Sequence, residues 1–150
     1  MLLPASLAPR PGDLLILDAD AGEPLLDGER LGVIFLARSQ EDGSFARPVV
    51  LASDPRWREP TDMVLLGDGS VLVMESQWSS GSGPSRGALF VVRPGETPPS
   101  EGSPAEVSLW WSDERLRRPI SVARNRDTGT VYVSDRDANP LGLNQATGCV

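Results

Sequence analysis

Three acids stand at comparable places along the chain, each closing a run rich in Leu and Val: Asp18, Glu75 and Asp135. Each is followed two residues later by a second oxygen-bearing side chain, Asp20, Gln77 or Asp137. Carboxylates and amides at such spacing suit a hard divalent cation, so Asp18, Glu75 and Asp135 are candidate ligands for a metal such as calcium. The same acids can instead accept backbone N–H bonds in the turn that leaves a strand. A feature present in every repeat more often builds the repeat than binds a ligand. The segment DRDAN (135–139) opens like a calcium loop, but Pro140 takes the sixth position, where the sharp turn wants glycine, and no Glu stands at the twelfth.

Arginines form a second constellation. Arg56 and Arg58 lie in SDPRWREP (53–60), and Arg115, Arg117 and Arg118 lie in SDERLRRP (112–119). Guanidinium forks there can grip a carboxylate or phosphate through paired hydrogen bonds. They can equally pair with Asp54 and Asp113 beside them, which is worth little at a wet surface. Trp57 and Trp78 fall in loops, where tryptophan either lines a ligand mouth or packs on an arginine or a neighbouring loop. The candidate ligand-binding set is therefore Arg56, Trp57, Arg58, Trp78, Arg115 and Arg117. Trp110 and Trp111 are adjacent in an expected strand, so they are expected on opposite faces, with at least one of them packed between sheets.

What is missing narrows the chemistry further. All 14 cationic residues are arginine, with no lysine and no histidine. A histidine base, a Ser-His-Asp or Cys-His nucleophile pair, a Schiff-base lysine and a His-ligated metal are thereby excluded from this chain, and no catalytic residue is assigned. The net charge of −7 argues against a nucleic-acid partner. Cys149 is the single cysteine, so there is no intrachain disulfide and no Cys-rich zinc site. The longest apolar runs, LLIL (14–17) and VIFLA (33–37), are far too short to span a bilayer. Pro4 soon interrupts Met1-Leu2-Leu3, with no charged region before it, so no signal peptide is read. A soluble chain with no membrane partner is expected, its compartment left open.

These residues are carried by a repeat. PASLAPRPGDLLILDAD (4–20), PTDMVLLGDGSVLVMESQ (60–77) and PISVARNRDTGTVYVSDRD (119–137) share an opening proline, a turn ending in Gly12, Gly69 or Gly129, an apolar run and a closing acid. A polar loop and another glycine-led run follow in each copy: GVIFLARS (32–39), GALFVVRP (87–94) and GCV (148–150). The first two copies add a fourth run, PVVLAS (48–53) and VSLWWS (107–112), and then a link of identical length. The units are about 4–59, 60–118 and 119–150. No run has a helical period; short aliphatic and β-branched runs between Gly, Asp and Ser clusters read as strands. The expected fold is all-β, with blades of four antiparallel strands stacked face to face in one domain, about two and a half blades in an incomplete β-propeller ring.

The pattern P-x-x-(apolar), D-G-x-(apolar)-x-V-x-(D/E) and G-x-(apolar)-F resembles the blade signature of the NHL-repeat and SMP-30-like propellers, usually six-bladed. PTDMVLLGDGSVLVMES and PISVARNRDTGTVYVSD carry it most clearly. The likeness covers nearly the whole chain but specifies architecture rather than one activity. It implies that the Arg-rich links and the loops after the second strands emerge on one face. It further implies a non-catalytic binding or scaffold module, the alternative being part of a metal-dependent SMP-30/gluconolactonase-like hydrolase in whose central channel a metal sits. No cofactor is required on the first reading, and a divalent cation, calcium, is the candidate on the second. The expected partners are other propeller blades, from a longer chain of which this is a fragment or from further copies, and a small-molecule or protein ligand on the loop face.

Overall fold

The computed structural model describes residues 7–22, 28, 30–81, 86–95 and 105–138. Among these residues the protein is all-β, with nine strands and no helix. Strands β1 (Leu14–Asp18), β2 (Val33–Ala37) and β3 (Val49–Ser53) form the first sheet. The second contains β4 (Pro60–Leu65), β5 (Val71–Trp78), β6 (Arg86–Arg93) and β7 (Glu106–Ser112). The third pairs β8 (Pro119–Arg124) with β9 (Val131–Asp135). Every pairing is antiparallel between chain neighbours, so each sheet is a meander and the three form an open arc of propeller-type blades.

The middle unit is a four-stranded blade as the repeat predicts. In the first unit the run opening at Pro4 falls mostly outside the described residues; Leu7, which is described, is buried but not in a strand. The expected third run of the last unit, Gly148-Cys149-Val150, also lies outside them, as do Asn139 and Pro140 of the calcium-like segment. The turns between first and second strands follow their chemistry. Gly12, Gly69 and Gly129 have φ of +90°, +85° and +73°, which only glycine adopts without strain.

Alternation along the strands decides how the sheets stack. Val71 and Val73 of β5, with Ala88, Phe90 and Val92 of β6, join Ile34, Leu36 and Leu51 in one core against the first sheet. The intervening Leu72, Met74, Leu89 and Val91 meet Val122, Val131 and Val133 in a second core against the third sheet. A strand's period of two thus buries both faces of the middle sheet. Each fully buried aliphatic side chain contributes roughly 1.5–3 kcal/mol.

The punctuation shared by the copies makes the joints between blades. Gly32 N–H donates to the Trp57 carbonyl (3.1 Å) and Gly87 N–H to the Leu116 carbonyl (2.8 Å). A β-carbon on Gly32 would collide with the ring of Pro60, and one on Gly87 with the ring of Pro119. In the first two units a glycine therefore stands at the head of β2 and of β6 because the next unit's opening proline rests there.

Candidate functional site

The links between blades, residues 54–59 and 113–118, gather most of the candidate residues, and they are built alike. Asp54 accepts Arg56 N–H (2.9 Å) and both arms of its guanidinium, Nε at 2.6 Å and Nη2 at 2.7 Å. Asp113 holds Arg115 identically, at 2.9, 2.8 and 2.9 Å. This pairing lowers the Asp113 carboxyl to about 2. The aspartate closes a short turn on its own N–H two residues later, then fastens the arginine fork in plane. Both arginines are thereby engaged with their own link. Arg56 is bound more deeply, for its Nη2 also donates to the Val107 carbonyl (2.9 Å) and its guanidinium lies 4.8 Å from the Phe90 ring centre.

The strand-closing acids finish the same joint. Glu75 is fully buried and accepts the backbone N–H of Glu59 (3.0 Å to each oxygen), that of Gln77 (2.6 Å) and that of Arg58. Asp135, also buried, accepts N–H from Arg117 (2.7 Å), Arg118 (3.1 Å to each oxygen) and Asp137 (2.8 Å). Asp18 is exposed and accepts Asp20 N–H (2.9 Å). The three acids close three separate sheets. Among the described residues there is no group of three His, Cys, Asp or Glu that could hold a metal ion. The lone pairs of Glu75 and Asp135 point at the link entering their own blade, which fixes where its first strand begins.

In acidity, Glu75 is displaced in the opposite direction from Asp113. Burial pushes its carboxyl up to about 7 against the pull of the backbone N–H groups, and the neighbouring Glu59 charge adds to the rise. Glu59 moves the other way, held below the usual range by Gln77 Nε2 (2.6 Å), Ser76 Oγ (2.8 Å) and the Arg118 charge. Two carboxyls with divergent acidities are a pattern found in acid–base sites. Here the raised member is sealed from solvent and touches only the backbone joint and its neighbour.

The tryptophans differ from their expected places. Trp57 does not line a mouth: it is fully buried in the first core, edge-on to Phe90 with ring centres 6.5 Å apart. Its Nε1 is a buried donor with no acceptor among the described residues. Trp78 ends β5, largely buried, with the Arg86 guanidinium 5.1 Å from its ring centre. Arg58 is half-buried, and the Arg117 side chain is exposed on the rim. Trp110 and Trp111 do not take opposite faces, because a β-bulge intervenes: Trp111 pairs with Leu89 and Leu109 with Phe90, leaving Trp110 as the extra residue. Both tryptophans line one apolar groove of about 400 Å³ with Leu89, Val131 and Val133. Residue typing missed this groove; aligning Trp110-Trp111 with Leu51-Ala52 across the repeat is the signal that points to it.

Blades stacked through two apolar cores and locked by an acid–arginine link define an all-β, propeller-type repeat protein. No protein-family model, curated protein or solved structure matches the chain. No helix among the described residues is long and apolar enough to cross a membrane.

Proposed function

We propose that this chain is a non-catalytic binding or scaffold module of the NHL-like propeller kind, working as blades of a larger ring. The observation that supports this is the commitment of its charged groups to architecture. Glu75 and Asp135 are consumed by backbone N–H groups, and Arg56 and Arg115 by Asp54 and Asp113. Rigid sheets presenting loops and edges of fixed shape suit recognition rather than turnover.

The experiment sets this reading against the SMP-30-like hydrolase. Purified protein is assayed on a panel of lactones with calcium, with zinc and with chelator, and its thermal midpoint is measured in each. The module reading expects no turnover and a midpoint indifferent to chelator. Lactone hydrolysis abolished by chelator and restored by a divalent cation overturns it and points to metal-activated water.

A further inference from the structure

We propose that the pocket between the far ends of β4 and β8 binds a small carboxylic acid with an apolar body, its carboxylate held by Arg124 and Arg126. The proposal rests on the binding-module reading and names the class of ligand that module takes.

The pocket, of about 340 Å³, is lined by Val64, Leu65, Leu66, Gly67, Arg124 and Arg126. That is near the lower end of the roughly 300–1,000 Å³ spanned by small-molecule sites, so it suits a compact ligand. Strands β4 and β8 leave the acid–arginine links at Pro60 and Pro119 and end at Leu65 and Arg124. The pocket therefore lies at the opposite end of these strands from the links, apart from the charges that lock the joint.

Arg124 stands where the blade itself calls for no charge. Leu65 ends β4 opposite Val71, and Arg124 ends β8 opposite Val131, each valine two residues past its turn glycine. The register thus puts Arg124 in the place that Leu65 holds one unit earlier. Its guanidinium rests on the neighbouring turn. A β-carbon on Gly67 would stand 3.2 Å from Nη2 and 3.4 Å from Nη1, and one on Gly129 3.8 Å from Nη2. Gly67, unlike Gly69, is not among the positive-φ glycines, so what its missing side chain provides is room for the guanidinium.

Arg126 arrives from the β8–β9 turn, which is fixed from within. Asn125 Oδ1 accepts N–H from Asp127 (2.9 Å) and Thr128 (3.0 Å), and the Asn125 carbonyl accepts that of Gly129 (2.9 Å). The pocket lining so gathers two cations and, among the described residues, no carboxylate. Asp68, next to Gly67, accepts the N–H and Oγ–H of Ser70 instead. Among the described residues neither Arg124 nor Arg126 is in an ion pair. Two like charges on one pocket repel, and a carboxylate between them turns repulsion into charge-assisted hydrogen bonds. Val64, Leu65 and Leu66 form the other wall, with Leu65 45% exposed. Inorganic phosphate leaves that wall wet, whereas an acid with an aliphatic body covers it.

The probe is hexanoate, titrated into the intact chain by calorimetry, with hexanol, acetate and inorganic phosphate as controls. Saturable binding of hexanoate is expected, with acetate and phosphate each at least tenfold weaker and hexanol not bound. Arg124→Leu, which installs the residue type of the preceding unit, is expected to weaken hexanoate about tenfold or more with the circular dichroism spectrum unchanged. Gly67→Ala crowds the guanidinium and is expected to weaken it less. Absence of saturable binding overturns the proposal, as does hexanol binding as well as hexanoate. Equal binding of phosphate removes the apolar body from the ligand and overturns it too, and so does hexanoate affinity unchanged in Arg124→Leu. The wild-type controls decide the matter even if a variant fails to fold. None of these failures touches the module reading, which falls only to metal-dependent turnover.

Discussion

At the scale of single residues, Glu75 makes a pH-dependent test. Its carboxyl titrates near 4.5 in the unfolded chain and at about 7 in the folded protein, chiefly through burial. Between those values the folded state binds the extra proton, so the stability this group confers is whole below pH 4.5 and is lost as pH rises through 7. The loss is on the order of 3 kcal/mol. The thermal midpoint is expected to fall between pH 5 and 8, and Glu75→Gln to flatten that slope. A midpoint that climbs over this range in the wild type contradicts the assignment. Glu59, whose charge adds to the rise, is kept unchanged in the comparison. The arginines give a second test, since the two links are alike in bonds but not in depth. Arg115→Ala removes only an exposed pair with Asp113 and is expected to leave the midpoint within about 2 °C. Arg56→Ala also strips the Val107 carbonyl and the Phe90 ring of a partner and is expected to lower it by about 4 °C or more. Both fates of these residues, ligand contact or local pairing, were open in the sequence, because residue types alone do not say where a lone pair points.

At the scale of elements, the turns and runs were legible and the joints were not. Glycine and proline recur in every unit, yet no spacing within one strand reveals that Gly87 lies under Pro119, more than thirty residues away. The bulge at Trp110 was hidden for a related reason: strict alternation is the default reading of a strand, and the extra residue appears only in the pairing with β6. The joint predicts an asymmetry among glycine substitutions. Gly87 is not among the positive-φ glycines, so Gly87→Ala is penalised by contact alone, its new methyl meeting the Pro119 ring and the Leu116 β-carbon. A loss of about 2–3 kcal/mol is expected in chemical denaturation. Pro119→Ala is expected to recover part of it in the double variant, whereas two independent sites give additive losses. Gly43→Ala, with positive φ and open space around it, is expected to cost only about 1 kcal/mol.

At the scale of the whole molecule, the arc treats equivalent positions unequally. Leu72 and Tyr132 occupy the same place in successive units, three residues past Gly69 and Gly129. Leu72 is 0% exposed because the third sheet lies over it, while Tyr132, on the outward side of that sheet, is 50% exposed. Replacing each with lysine therefore asks whether the arc is open in solution. Leu72→Lys buries an unpaired charge between two sheets and is expected to abolish cooperative unfolding. Tyr132→Lys places its charge in water and is expected to shift the midpoint by no more than about 2 °C. Equal damage from both changes would mean that a further element covers the third sheet in solution, since nothing among the described residues buries Tyr132. Hydrogen exchange reads the same gradient without mutation: amides of β5 and β6, packed on both faces, are expected to exchange slowest, and those of β8 and β9, packed on one, to exchange first. If β9 is as slow as β5, the third sheet is covered in solution.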